Sequence, residues 1–177
     1  MLPDDYADLV ALGLKYVPEF ISKTEEAALL SVVISPGYTT TYSQPGRHRI
    51  QRYGSNKPYN NYIVSRVIPE HFAVICRRLV TENFLATLPD SVTVNEYLSG
   101  DLIQAHVDSP AAGPVITVLS LGSSATMVLK HQEQRYTVSL PARSLIQLTG
   151  PIRYDWTHEI LPVSAKRYSV VFRDSAA

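Results

Sequence analysis

The chain of 177 residues contains one cysteine, Cys76, so no disulfide can form within it. That excludes a disulfide-stapled scaffold and fits a reducing compartment. Charge of neither sign is in excess, with 16 Lys+Arg against 16 Asp+Glu. No global field draws such a protein onto DNA or a membrane, and a nucleic-acid ligand needs a local basic patch. Long apolar runs of membrane-spanning length are absent. Met1 to Asp8 carries acids where a signal peptide has its basic region. Internal repeats and low-complexity segments are missing too. We therefore expect a monomer without a membrane partner, in the cytoplasm or, alternatively, the nucleus. What is present is a globular balance, 45% hydrophobic and 18% charged, in a length that suits one domain with a real core.

Leu14–Val17 reads as a short strand ended by Pro18. Ser22 with Glu25 predicts a capping box for a helix over roughly 24–33, with Ala27, Ala28, Leu29 and Val32 on one face. Between Tyr42 and Tyr62, Gly, Pro, Asn, Tyr and Arg mix without period, as in a loop or lid with room for one short strand. A second helix is expected over about 69–86, with Phe72, Ile75, Cys76, Leu79 and Phe84 on its buried side. After Pro89 the texture turns to β. Strands are expected at 92–97, 103–107, 115–121, 144–148, 154–160 and 168–172, with a hairpin of 126–130 and 136–140. Seven or eight short strands behind two helices predict an α+β, mainly β fold. It is a double-stranded β-helix (jelly roll) with two N-terminal helices packed outside. Residues 1–177 form one domain, with 38–62 a substrate lid.

The sequence His106-Val-Asp108 is answered much later by His158. On a regular strand His106 and Asp108 leave by the same face, so both reach one metal while Val107 points into the core. His158 comes from another strand, across the interior. Two histidines and a carboxylate form a facial triad with three open metal positions, the ligand set suited to a non-heme Fe(II) oxygenase. Taken singly, each reads more readily as a hydrogen-bonded polar residue near a strand end. Arg167 and Arg173 bound the run Arg-Tyr-Ser-Val-Val-Phe-Arg, which puts both guanidiniums and Ser169 on one strand face. Such a face calls for an anion, and a dicarboxylate co-substrate supplies one. The alternative is an exposed edge strand with its charges in water. Asn95 and Tyr97 alternate in the same way, offering an amide and a phenol to the same carboxylates or, without that context, lying near the surface.

Within 38–62, Arg47, His48, Arg49, Arg52 and Lys57 interleave with Tyr42, Tyr53, Tyr59 and Tyr62. Cations alternating with stacking faces suit single-stranded nucleic acid or a flipped base. Arg47, Arg49, Arg52, Tyr53, Lys57 and Tyr59 are the expected substrate contacts, and Arg143 and Arg153 extend the patch. The plainer reading is a solvated loop whose tyrosines cover the jelly roll.

In order along the chain, Asn95-Glu-Tyr97-Leu-Ser-Gly100, His106-Val-Asp108, Trp156-Thr-His158 and Arg167-Tyr-Ser-Val-Val-Phe-Arg173 resemble the AlkB family of Fe(II)- and 2-oxoglutarate-dependent dioxygenases. The resemblance implies His106, Asp108 and His158 as iron ligands and Arg167 on the distal carboxylate of 2-oxoglutarate. It implies Asn95, Tyr97, Ser169 and Arg173 around that carboxylate, and O2 as the other co-substrate. Ser120-Leu-Gly-Ser, Leu140-Pro-Ala-Arg-Ser and the run 149–158 look most like the branch that hydroxylates wobble uridines in tRNA. Pro110 stands where the alkylation-repair members carry an acid that reads the damaged base, and Ser169 where an Asn is common. The implied activity is hydroxylation or oxidative demethylation of a modified or alkylated nucleobase, in RNA or as DNA repair, with tRNA favoured. Two alternatives stay open. One is the same oxidation of a protein or small molecule, the other a cupin-type module that holds a metal without oxidising anything.

Overall fold

The computed structural model describes residues 6–34, 39–40, 48–55 and 67–174. Its elements are α1 (Tyr6–Ala11), β1 (Leu14–Val17), α2 (Lys23–Val33), β2 (Thr39–Thr40), β3 (Arg49–Gly54), α3 (Glu70–Thr81), β4 (Ser91–Tyr97) and β5 (Ile103–His106). After these come β6 (Ile116–Gly122), β7 (Ala125–His131), β8 (Gln134–Leu140), β9 (Leu145–Leu148), α4 (Gly150–Tyr154), β10 (Thr157–Ile160) and β11 (Arg167–Arg173). A seven-stranded sheet has the order β1-β9-β6-β11-β4-β3-β2, and a four-stranded sheet the order β5-β10-β7-β8. The pairs are antiparallel. This is the two-sheet, mainly β architecture that the strand pattern predicts.

Three layers result. Between the sheets, Val118, Ile146 and Val171 of the large sheet share a core with Met127, Leu129 and Val138 of the small one. On its other face the large sheet presents Val92, Val94, Tyr168, Val170 and Phe172 to Leu29 of α2 and to Phe72, Ile75 and Leu79 of α3. Strands β4 and β11 are therefore buried at every position. A strand covered on both faces needs apolar residues in both registers, which is why 168–172 reads as an almost unbroken run. Because β11 lies between β6 and β4, the edge-strand alternative for its arginines is removed.

Several local expectations are corrected. The capping box of α2 forms, Ser22 Oγ accepting from Glu25 N at 3.2 Å and Glu25 Oε2 from Ser22 N at 2.7 Å. Its buried residues, however, are Glu26, Leu29 and Val33, while Ala27 and Ala28 are exposed. Glu26 faces inward because its carboxylate accepts from Gly122 N at 2.9 Å and from Arg143 at 3.0 Å. Helix α3 stops at Thr81 rather than near 86. Asn83 takes a left-handed φ of 58°, and Phe84 N and Asn83 N donate back to Leu79 O and Val80 O. That is a Schellman closure with Asn in the place glycine usually fills. The expected strand 154–160 is in its first part α4, and β10 starts only at Thr157. Finally, β5 ends at His106, so Val107 lies 39% exposed instead of in the core.

Cys76 lies on the buried face of α3, where burial pushes its thiol up to about 11. At pH 8 it is protonated as well as enclosed, and the thiolate is the nucleophile. Native protein should therefore resist iodoacetamide and react only after unfolding in guanidinium. Rapid labelling of the native chain, detected by mass spectrometry, would contradict this packing.

Candidate active site

The small sheet and the loop after β5 bring the triad together. His158 on β10 pairs directly with His106 on β5, and their ring centroids are 4.3 Å apart. Asp108 sits beyond the end of β5, two residues past His106, with Oδ1 at 3.5 Å from His106 Nε2. One ligand atom from each of the three lies within 4.8 Å of the others, close enough to hold one metal ion. His106 Nδ1–H donates to the Gln104 carbonyl at 2.8 Å. That bond fixes the ring and leaves Nε2 as the metal-facing nitrogen.

The electrostatics put His158 and Asp108 in their metal-binding forms. Burial pushes His158 down to about 4, helped by the neighbouring His106, so its imidazole is neutral near pH 7. Burial also acts to raise Asp108. The hydrogen bond from His106 and the charge of Arg173, with Nη2 at 3.4 Å from Oδ2, outweigh it and hold the carboxyl well below the usual range. The hydrogen bond to Asp108 in turn raises His106, so a divalent cation takes the place of its Nε2 proton and then meets a carboxylate and two imidazoles with lone pairs.

The large sheet supplies the other half. Arg167, Ser169 and Arg173 share the inner face of β11, opposite Tyr97, Asn95 and Ser91 of β4. Asn95 Nδ2 donates to Ser169 Oγ at 3.1 Å, and Tyr97 Oη lies 3.3 Å from the same hydroxyl. Burial pushes the Tyr97 phenol up, which keeps it a donor. Arg167 is fully buried, stacked 5.6 Å from the Tyr97 ring. Its Nε and Nη1 have no hydrogen-bond partner among the described residues. A buried guanidinium without an acceptor is costly, and an incoming carboxylate is the group that satisfies it. All five residues expected around a carboxylate thus line one cavity with the triad, walled by Val118, Met127, Leu140 and Val171. The donor set and the unsatisfied arginine fit an iron ion and a dicarboxylate.

The substrate residues fare differently. Arg47, Lys57 and Tyr59 lie outside the described residues. Arg49, Arg52 and Tyr53 fall on β3, a regular strand added to β4. Pairing opposite Glu96, Thr93 and Val92 puts Arg52 on the cavity face and turns Arg49 and Tyr53 toward the helices. Accordingly Arg49 forms an ion pair with Glu96, and the Tyr53 ring packs 5.6 Å from Phe72. Neither Arg143 nor Arg153 extends a basic patch. Arg143 pairs with Glu19 and Glu26, and Arg153 is buried. Two residues beside the carboxylate-binding group are not expected there from sequence. His48 stacks on Tyr97 at 5.5 Å, and Ser120 sits buried opposite Ser169 with no partner for Oγ among the described residues. The β6–β11 register sets Ser120 opposite Ser169, and no spacing in the sequence encodes that register.

The profile of the 2OG-Fe(II) oxygenase superfamily matches residues 13–173, and the chain belongs to that superfamily. Membership makes it a 2-oxoglutarate- and Fe(II)-type oxygenase, for which O2 is the other co-substrate, and its His106, Asp108 and His158 cluster fits that metal. Among curated proteins its relatives include AlkB homologues. It is 36% identical over 161 residues to the tRNA (carboxymethyluridine(34)-5-O)-methyltransferase ALKBH8 of Mus musculus, covering 85% of this chain and 24% of that protein. It is 29% identical over 160 residues to the probable RNA/DNA demethylase ALKBH6 of Danio rerio, covering 82% and 68%. The solved structure of OsALKBH1 superposes with a TM-score of 0.72 at 18% identity, over 91% of this chain and 97% of that one. The chain thus spans about a quarter of the length of the ALKBH8 relatives. No helix among the described residues is long and apolar enough to cross a membrane.

Proposed function

We propose that this dioxygenase oxidises a modified or alkylated nucleobase, in RNA or single-stranded DNA with tRNA favoured. In this reading His106, Asp108 and His158 hold Fe(II), and Arg167 holds the distal carboxylate of 2-oxoglutarate. The observation that carries the site is Arg167, buried and without an acceptor in the cavity the triad lines. Support for the nucleobase comes from the curated relatives, two of whose names specify tRNA and RNA/DNA. Bound together, Fe(II), 2-oxoglutarate and O2 supply the oxidation of a substrate C–H bond, with succinate and CO2 as by-products.

The protein's share is placement. Arg167 and Tyr97 donate to the distal carboxylate, while Asn95 and Ser169 hold each other and the phenol in position. Arg173 keeps Asp108 charged and turned toward the histidines. Val118, Met127 and Leu140 exclude water from the space between. Of the segment 38–62 expected as a lid, residues 39–40 and 49–54 are strands of the large sheet and only Ser55 and His48 beside them are otherwise described, the rest lying outside the described residues. In its described part Arg52 is the cation on the cavity face, suited to a nucleic-acid phosphate.

The test incubates the protein with Fe(II), ascorbate and 2-oxoglutarate and with tRNA, mRNA or alkylated DNA. Released succinate and digested nucleosides are then quantified by mass spectrometry. A substrate-dependent gain of one oxygen on a nucleoside, or loss of a methyl group, is the expected result. Succinate released only with a protein or small molecule would replace the nucleobase reading while leaving the iron site intact.

A further inference from the structure

We propose that Arg153 is a positioning residue for the metal centre, fixing the backbone that carries Asp108. The inference rests on the reading of Asp108 as a ligand.

The sheet does not place Asp108, because β5 ends two residues earlier. The chain instead enters a 3-10 turn over Pro110–Ala112, capped by Ser109 Oγ on Ala111 N at 3.3 Å and closed by Gly113 at φ 85°. A turn of this length has few bonds of its own to fix its attitude toward the sheets. Arg153 supplies three. Its Nε donates to Gly113 O at 3.2 Å, Nη1 to Asp108 O at 2.9 Å and Nη2 to Ser109 O at 2.7 Å. The guanidinium grips the turn at both ends, and one bond falls on the ligand residue itself.

The other end of Arg153 belongs to the His158 arm. It lies in α4, one short step along the chain from β10. That helix is anchored by Ile152 N on Leu12 O at 2.9 Å. One side chain therefore ties the arm bearing His158 to the arm bearing Asp108. The two Asp108 contacts divide the work. Arg173 orients the carboxylate from the large sheet, and Arg153 places the main chain.

Burial makes this arrangement informative. Arg153 is 2% exposed, with its guanidinium 4.8 Å from the Tyr154 ring, and makes no ion pair among the described residues. A buried cation given wholly to backbone carbonyls is costly to arrange. The planar fork is also hard to replace. A lysine ammonium is a point donor on a flexible stem and cannot span three separated carbonyls.

The experiment titrates full-length protein with Co(II), monitored by its visible absorption, so no turnover is needed. Wild type, Arg153→Met, Arg153→Lys, Asp108→Ala and the double variant Asp108→Ala/Arg153→Met are compared below their melting temperatures. Arg153→Met should weaken Co(II) about 10- to 100-fold, the usual effect of losing a partner that orients a ligand. Arg153→Lys should recover part of that loss. In the Asp108→Ala background, Arg153→Met should change affinity less than about twofold, because the residue through which it acts is gone. An equal loss in both backgrounds overturns the proposal, as does unchanged affinity in a folded Arg153 variant. Should Arg153→Met fail to fold, Arg153→Lys decides alone, with a loss of about tenfold expected. If Asp108→Ala itself binds Co(II) like wild type, the ligand assignment falls, an outcome separate from failure of Arg153.

Discussion

His106→Ala, Asp108→Ala and His158→Ala each lower 2-oxoglutarate turnover by at least about a hundredfold, since even the partners of metal ligands are worth 10- to 100-fold. The fold survives, because the three side chains come from β5, β10 and the loop after β5 and contribute little to either apolar cluster. Succinate release measured alongside circular dichroism tests both halves of the statement. Wild-type turnover in any one folded variant removes that residue from the triad. Wild type itself separates an oxygenase from a cupin-type module, which would bind Co(II) yet release no succinate under any condition.

Arg167→Ala abolishes most 2-oxoglutarate affinity. Arg167 is fully buried and two of its nitrogens lack an acceptor among the described residues, so the co-substrate carboxylate it receives is desolvated and held by charge-assisted bonds. Breaking such a buried pair costs about 3–5 kcal/mol, or roughly two to four orders of magnitude in the dissociation constant. Arg167→Lys restores only part, since an ammonium lacks the planar fork. Calorimetry with 2-oxoglutarate and Co(II)-loaded protein reads this directly. Metal affinity should stay unchanged, because Arg167 touches none of the three triad residues. Undiminished 2-oxoglutarate binding in Arg167→Ala would falsify the assignment of this arginine.

Both predictions concern residues that short-range pattern makes legible. His106 and Asp108 are separated by one residue, and Arg167, Ser169 and Arg173 share a strand face by simple alternation. Asn95 and Tyr97 obey the same rule, and the structure seats them opposite Ser169 and Arg167. Alternation fails where the element stops. Val107 reads as inward only if the strand runs on, whereas β5 ends at His106 and the chain turns out to solvent. In the 42–62 segment the irregular composition leaves room for one short strand without placing it, and pairing with β4 sets that strand at Arg49–Gly54. Once that strand exists, alternation sorts its residues again. Arg52 goes to the cavity, and Arg49 and Tyr53 to the helices.

By itself the sequence determined the mainly β class, the capped helix α2, the hairpin of β7 and β8, and the identity of the groups that could bind a metal and a dicarboxylate. These are properties of periodicity and side-chain chemistry, which act over a few residues. Only the tertiary structure decided which groups meet. The register of β10 on β5 sets His158 against His106, and β11 in the centre of the large sheet buries Arg167 with two of its nitrogens unpartnered among the described residues. The role of Arg153 was hidden for the same reason. A cation in sequence is equally a surface charge or a buried clamp, and the difference lies in whether backbone carbonyls from Asp108, Ser109 and Gly113 have been brought to it. Those contacts span about forty residues of chain and depend on the packing of two sheets, which no local pattern specifies.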